Sequence, residues 1–129
     1  METDNVLFRF AVPDKLPGLN EYTDACRSHW SKGYRMKKDA EELIGWAIAT
    51  ARRKQRAKPI TVPCVVYIVW HEGSRARDVD NIQSAQKFIM DALKNSGMIR
   101  DDNRRWVKQI YHKVVDDDRW YSEIRLEVA

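Results

Sequence analysis

Apolar residues along the chain follow two spacings, which predict its secondary structure. Four segments rich in β-branched and aromatic side chains are predicted strands: residues 6–12, 60–71, 106–115 and 121–128. The last of them alternates cleanly between apolar and polar side chains, as a strand with one buried face does. Pro63 indicates a bulge or edge in the second strand, or a strand start at Cys64. We predict that Asp116–Asp118 joins the last two strands as a hairpin turn.

Two other segments repeat apolar residues every three or four positions and predict amphipathic helices. One helix starts at Met36, continues to Ala51, and carries a basic tail before Pro59. The other covers residues 82–93, and Gly97 stands where a left-handed residue commonly ends a helix. The polar stretch at residues 20–34 has no sustained period, so we predict a loop there with a short helical piece.

The order strand, helix, strand, helix, strand, strand predicts the α+β fold class. We expect a single domain over residues 1–129, with a mixed β-sheet of about four strands and two main helices on one face. Hydrophobic residues make up 43% of the chain and charged residues 33%, which excludes a disordered or collagen-like protein. No apolar run approaches the roughly 18 residues that cross a bilayer. The two cysteines are far apart and lack zinc-finger spacing, so we expect a cytoplasmic protein with reduced thiols.

The charge balance favours no function by itself. The chain has 23 Lys+Arg and 19 Asp+Glu, a net charge of +4 that suits a polyanionic partner without requiring one. The basic tail either faces nucleic acid or complements the negative end of the helix dipole, and both interpretations stay open. Its cations are Arg52, Arg53, Lys54, Arg56 and Lys58.

Motif searches exclude several enzyme classes. The chain has no phosphate-binding Gly-x-x-x-x-Gly-Lys loop, no Gly-x-Gly-x-x-Gly fingerprint and no Gly-x-Ser-x-Gly elbow, which excludes ATPases, dehydrogenases and serine hydrolases of those types. What remains is the charged segment Arg75–Asn81, which directly follows the most apolar strand and precedes an amphipathic helix. Strand ends are common places for functional sites.

The acids of this segment predict a metal site. Asp78 and Asp80 are two apart in a stretch that should still be extended, so their carboxylates can share one hard cation. Asp102 follows the Gly97 turn, which could return it to the same end of the sheet. Three carboxylates suit Mg²⁺ or Mn²⁺ and chemistry on phosphate esters, and neighbouring arginines suit a bound phosphodiester.

Simpler interpretations of the same acids exist. Asp80 with Gln83 three residues on forms a good N-cap and capping box without any metal. Asp78 can pair with Arg75 or Arg77 on a solvated loop. Asp101-Asp102-Asn103 can be a turn between two elements.

The ordered motifs resemble a known family. Arg77-Asp78-Val79-Asp80-Asn81, then Asp91-Ala92-Leu93, Gly97 and Asp101-Asp102 are similar to the core of the RusA-type Holliday-junction resolvases. Leu16–Tyr22 is similar to the Pro-rich turn after the first strand of that family. The resemblance implies a RusA-like fold and a homodimeric, Mg²⁺-dependent endonuclease of phages and prophages that cuts four-way DNA junctions symmetrically in recombination and repair. We expect Mn²⁺ to substitute for Mg²⁺.

The resemblance also implies roles for individual residues. Asp78, Asp80 and Asp102 are the expected catalytic and metal-binding carboxylates. The position of the family's functional lysine is Ser84, and the nearest lysine, Lys87, lies about one turn further along the same helix face. Lys87 either points toward the site or pairs with Asp91 four residues on, and the pairing is the favoured expectation. The expected DNA-binding cations are Arg75, Arg77, Lys87, Arg52, Arg53, Lys54 and Arg56.

Three hypotheses from different classes remain. The first is a junction-resolving endonuclease, favoured by the intact acids. The second is a branched-DNA-binding module of the same fold without cleavage activity, favoured by Ser84 at the lysine position. The third is an interaction protein whose aspartates are only caps and turns, which the composite motif disfavours.

Overall fold

A four-stranded sheet and four helical segments make up residues 5–129, the part of the chain described by a computed structural model. The strands are β1 (Val6–Pro13), β2 (Cys64–Glu72), β3 (Val107–Asp116) and β4 (Tyr121–Val128). The helices are α1 (Leu19–Ser28), α2 (Trp30–Gln55), α3 (Val79–Gln83) and α4 (Gln86–Asn95). None of these helices is long and apolar enough to span a membrane.

The strands form one mixed sheet in the order β1-β4-β2-β3. β2 and β3 are parallel, whereas β4 runs antiparallel to β1 and β2. The predicted α+β class and four-stranded mixed sheet are therefore confirmed. The predicted hairpin at Asp116–Asp118 is wrong, because β2 lies between the two strands that this turn joins. The turn passes over the end of β2, where the Asp117 N–H donates to the Glu72 carbonyl at 2.9 Å.

The hydrophobic core lies between the sheet and the helices. In β2, every second residue from Cys64 to Glu72 is buried, and the residues between them are only partly buried. β4 follows the same alternation, so one face of the sheet packs into the core while the other stays half-exposed. α2 contributes Ile44 and Ile48 to this core and packs against β1 and α4. The chain can therefore hold functional loops at the sheet ends on a rigid base.

The prediction for residues 20–34 is wrong. α1 occupies the first part of this stretch, and α2 begins at Trp30, well before the predicted start at Met36. The pattern of apolar residues missed α1 because α1 has no buried residue. A weaker signal was present, since Glu21 stands three residues after Gly18 and its carboxylate accepts from the Gly18 N–H at 3.4 Å.

The predicted helix over residues 82–93 is divided into α3 and α4. The division falls at Ser84 and Ala85, which keep right-handed helical angles but sit in tightened turns. The Ser84 hydroxyl donates to the Asn81 carbonyl at 2.7 Å, so a side chain competes for a backbone acceptor at this point.

Two predicted boundaries are confirmed. β2 starts at Cys64, directly after Pro63. Gly97 has a φ of 76° and follows the end of α4, where the Met98 N–H donates to the Leu93 carbonyl at 3.1 Å and the Gly97 N–H to the Lys94 carbonyl at 3.0 Å. These two bonds form the Schellman turn that ends the helix.

The two thiols differ in environment, which predicts different reactivity. Both cysteines are free, Cys26 exposed and Cys64 buried, and burial raises the pKa of Cys64. Because the thiolate is the reactive form, we expect a disulfide reagent such as DTNB to label one thiol rapidly in the native protein and two in urea. A Cys26→Ser variant that still shows a fast native thiol would contradict this assignment.

Candidate active site

The acid motif lies where β2 passes into α3. Asp78 is the N-cap residue of α3, with extended backbone angles, and Asp80 lies in the first helical turn. The segment is therefore not extended through Asp80, because the helix already begins at Val79. Asp80 is also not the N-cap, so the predicted capping box with Gln83 is wrong. The two carboxylates are placed by a helix start and not by a strand.

Neither carboxylate of the motif is paired with a basic side chain in the described part of the chain. Asp78 and Asp80 are exposed, and within residues 5–129 neither forms an ion pair with a Lys, Arg or His side chain. Asp78 makes no capping hydrogen bond. Asp80 Oδ1 accepts from the N–H of the adjacent Asn81 at 3.0 Å, which leaves its other oxygen open. The predicted pairing of Asp78 with a neighbouring arginine does not form.

Asp101 and Asp102, the second acid pair, make different contacts. Asp101 builds the turn, because its carboxylate accepts from the Asp102 N–H at 2.8 Å and from the Asn103 side chain at 3.3 Å. This backbone hydrogen bond lowers the pKa of Asp101, and Lys94 Nζ lies 3.4 Å from the same carboxylate. Asp102 contributes its backbone N–H to the turn, while its carboxylate lies near Lys87.

Asp102 does not return to the end of the sheet that carries Asp78. It precedes β3, whose first residue Val107 pairs with Cys64 at the start of β2, whereas Asp78 follows the end of β2. The predicted common sheet end is therefore wrong, because β3 is parallel to β2. Asp102 lies beside α4 instead, with Oδ2 at 3.9 Å from Lys87 Nζ.

Lys87 stands between two carboxylates. The expected pair with Asp91 forms, with Nζ 3.0 Å from Oδ1, and Asp102 is the second neighbour. The hydrogen bond to Asp91 raises the pKa of Lys87 above its ordinary value. The side chain is 70% exposed, so the ammonium can leave Asp91 for a ligand in solution. Lys87 is thus a cation at neutral pH and not a proton acceptor.

The start of α4 is tied to the sheet by a histidine. His112 Nδ1 accepts from the Trp70 indole N–H at 3.0 Å, and its Nε2 lies 2.8 Å from Gln86 Oε1. Burial lowers the pKa of His112, which favours the neutral ring that these two bonds require. This chain of hydrogen bonds links the start of α4, next to Lys87, to β2 and β3.

The two arginines before the motif have different environments. Arg75 is 86% exposed and pairs with Asp116 at 3.2 Å. Arg77 is only 10% exposed, and its guanidinium forms two bonds to the buried carboxylate of Glu72. Arg75 therefore remains a DNA-binding candidate, and the burial of Arg77 does not support its predicted contact with DNA. Glu72 itself was missed, although an acid in register with the buried residues of β2 was a visible signal.

The basic tail lies at the far end of α4. Arg52 Nη1 donates to the Ser96 carbonyl at 3.1 Å, so this cation is tied to the end of α4. Arg53, Lys54 and Arg56 are exposed. The last turn of α2 also places cations at the negative end of the helix dipole, so the structural interpretation of the tail applies to Arg52 at least.

The donor set suits a divalent cation that brings its own water. Within residues 5–129, no three His, Cys, Asp or Glu side chains converge closely enough to hold a metal ion by themselves. Mg²⁺ does not need such a cage, because it is commonly held by one or two carboxylates with waters and substrate phosphates. Asp78 and Asp80, which are exposed and have no basic partner among residues 5–129, match that requirement in their chemistry.

A comparison with protein families agrees with these features. Residues 25–129 match the family model of endodeoxyribonuclease RusA, which includes the acid motif, Lys87 and Asp102. The turn at Leu16–Tyr22 lies outside the matched range. A search of the curated proteins finds no match. The chain belongs to the RusA family of endodeoxyribonucleases, whose members resolve Holliday junctions.

Proposed function

We propose that the chain is a Mg²⁺-dependent endonuclease that resolves four-way DNA junctions by paired, symmetric cuts. The observation that carries this proposal is the exposed pair Asp78 and Asp80, which has no cationic partner within residues 5–129 and follows the end of a buried strand. Two carboxylates two residues apart with no basic partner repel each other, and a bound cation would relieve that repulsion. The family match supplies the reaction class, hydrolysis of a DNA phosphodiester.

The residues of the site divide the chemistry between them. Asp78 and Asp80 would hold Mg²⁺, and Mn²⁺ would substitute. Asp102 lies beside Lys87 and does not converge with this pair within residues 5–129, so its contact with the same cation stays a prediction. The bound cation supplies a water of lowered pKa and offsets negative charge on the transition state. Lys87 stays protonated and donates a hydrogen bond to a phosphate oxygen, because its raised pKa excludes a role as general base at neutral pH.

DNA arms would be held by the exposed cations. Arg75 lies beside the acid motif, while Arg53, Lys54 and Arg56 lie near the far end of α4. Binding through these phosphate contacts should weaken steeply with salt.

We propose a homodimer as the working unit. One chain carries one such site, and two symmetric cuts in a twofold junction need two sites related by a twofold axis. The DNA substrate and the two free cysteines also favour the cytoplasm of a bacterium or a phage-infected host.

The first experiment combines the purified protein with a labelled four-way junction in Mg²⁺, in Mn²⁺ and in EDTA. A linear duplex of the same sequence is the control substrate. We expect paired nicks in both metals, none in EDTA and none in the duplex. Cutting of the duplex at a similar rate would contradict junction resolution while leaving a nuclease.

A second candidate is a branched-DNA-binding module that does not cut. The observation in its favour is Ser84, whose hydroxyl is bonded to a backbone carbonyl at the position where the family has its functional lysine. Tight junction binding without nicks in either metal would establish this alternative and exclude the nuclease.

Substitution of Lys87 tests its proposed contact with phosphate. We expect Lys87→Gln to lower the rate of junction cleavage by about 10- to 100-fold, because it removes one charge-assisted donor. Stability should change by less than about 1 kcal/mol, since Lys87 forms an exposed pair. Lys94→Gln is the matched control, because Lys94 lies on the same helix as Lys87, pairs with Asp101 in the following turn, and has no proposed contact with DNA. Equal losses in both variants would contradict the assignment.

A further inference from the structure

Arg77 joins three parts of the chain behind the acid motif. Its Nε and Nη2 donate to the two carboxylate oxygens of Glu72 at 2.9 and 2.8 Å. Its Nη1 donates to the Leu16 carbonyl at 2.9 Å and to Glu21 at 3.3 Å. One guanidinium therefore links the end of β2, the loop after β1 and the start of α1.

Asn81 fixes the same loop from the other side of the motif. Its Oδ1 accepts from the Asn20 N–H at 2.9 Å, and the residue is 8% exposed. Gly18 lies against this side chain, because a Cβ at Gly18 would be 2.5 Å from Asn81 Oδ1. The loop backbone thus contacts the amide directly, and residue 18 has no room for a side chain.

The residues that make these contacts flank the two aspartates of the motif in the sequence. Asp78 directly follows Arg77 in the sequence, and Asp80 directly precedes Asn81. Each aspartate is therefore next to a residue that contacts the segment after β1. We infer that Glu72, Arg77 and Asn81, together called the clamp, are positioning residues that fix Asp78 and Asp80 relative to the Leu16–Gly18 loop and the first turn of α1. The inference rests on the proposed function, because it assigns the clamp to the carboxylates that would hold Mg²⁺.

The bonding of Arg77 disfavours a direct contact with phosphate. A guanidinium has five N–H donors, and the four bonds of Arg77 leave one. Glu72 is 4% exposed, so release of Arg77 would leave a buried carboxylate without its cation. Arg77 therefore acts through the backbone that it holds.

Three variants test the clamp. Arg77→Lys keeps the positive charge, but one ammonium group cannot form both the two hydrogen bonds to Glu72 and the hydrogen bond to the Leu16 carbonyl. Glu72→Gln removes the charge that holds the guanidinium and no group that DNA can reach. Asn81→Ala removes the acceptor of the Asn20 N–H and leaves the ion pair intact, so it serves if the other two variants fold poorly. Arg75→Gln is the matched control, an exposed cation on the same loop.

The first measurement is amide hydrogen exchange in EDTA. We expect the Asn20 amide to exchange about 10-fold faster in Asn81→Ala, which loses the hydrogen bond itself, about 1.4 kcal/mol. In Arg77→Lys and Glu72→Gln it should exchange several-fold faster, because the Leu16 backbone that leads to Asn20 is released. The core strands should keep their protection. Unchanged exchange at Asn20 in all three variants would overturn the clamp.

The second measurement is the affinity for Mn²⁺ by titration calorimetry, together with junction affinity in EDTA. We expect Mn²⁺ to bind about 10- to 100-fold more weakly in the clamp variants, as for residues that orient metal ligands, with junction affinity within about twofold. Arg75→Gln should bind the junction more weakly and bind Mn²⁺ as the wild type does. Weaker junction binding by Arg77→Lys but not by Glu72→Gln would overturn the inference and make Arg77 a DNA contact.

The two proposals fail in different ways. A wild-type protein that neither binds Mn²⁺ nor cuts the junction would contradict the proposed function. The exchange measurement needs neither metal nor DNA and still decides whether the clamp holds the loop. A wild type that cuts, with clamp variants of unchanged Mn²⁺ affinity and unchanged exchange, would contradict the clamp alone.

Discussion

Asp80→Asn should abolish junction cleavage and leave the protein folded. We expect the cutting rate to fall by at least about 10³-fold, because a carboxylate ligand of a catalytic cation contributes several kcal/mol to transition-state stabilisation. Junction affinity in EDTA should stay the same or rise slightly, since one negative charge near the phosphate is removed. Stability should fall by less than about 1 kcal/mol, because Asp80 is exposed and is not the N-cap residue.

The measurement combines cleavage, junction affinity and thermal unfolding on one preparation. Asp24→Asn is the matched control, an exposed aspartate on α1 that should cut as the wild type does. A variant of Asp80 that unfolds would return the residue to a purely structural role. A folded variant that still cuts at the wild-type rate would remove Asp80 from the site.

Leu126→Ala should cause the largest loss of stability among the substitutions proposed. Leu126 is fully buried in β4, where it pairs with Phe8 on one side and Val66 on the other. Truncation of a buried leucine costs about 2 to 5 kcal/mol through lost burial and the cavity that remains. The effect should appear as a large shift of the urea midpoint with little change in slope.

Val128→Ala is the control for this effect. Val128 lies two residues on in the same strand and is 44% exposed, so its truncation should cost less than about 1 kcal/mol. Similar costs for the two variants would contradict the burial of Leu126 in the core.

The strands and the main helical faces could be predicted from the sequence because each has a buried face. The alternation in β4 and the Gly97 helix end reflect burial and backbone geometry that local residues determine. α1 could not be predicted in this way, because it buries no residue and gives no apolar repeat. The order of strands could not be predicted either, because the residues of the turn at Asp116–Asp118 do not determine whether β4 pairs with β3 or with β1 and β2.

The acids of the candidate site could be identified from the sequence, but their surroundings could not. Spacing suggested that Asp78 and Asp80 lie together, yet whether Asp80 is in a strand or a helix depends on where α3 begins. The burial of Arg77 depends on Glu72, Leu16 and Glu21, which are far from one another along the chain. Charge alone could not separate Arg77 from the exposed Arg75.

The position of β4 has a consequence for synthesis of the protein. β4 is the last strand in the chain but separates β1 from β2, so these two cannot join the same sheet until β4 has arrived. During translation the acid motif leaves the ribosome well before β4, the strand that completes the sheet beneath it. A partly made chain would therefore carry Asp78 and Asp80 without a rigid support. The order of strands would delay nuclease activity until residues 121–128 are free to fold.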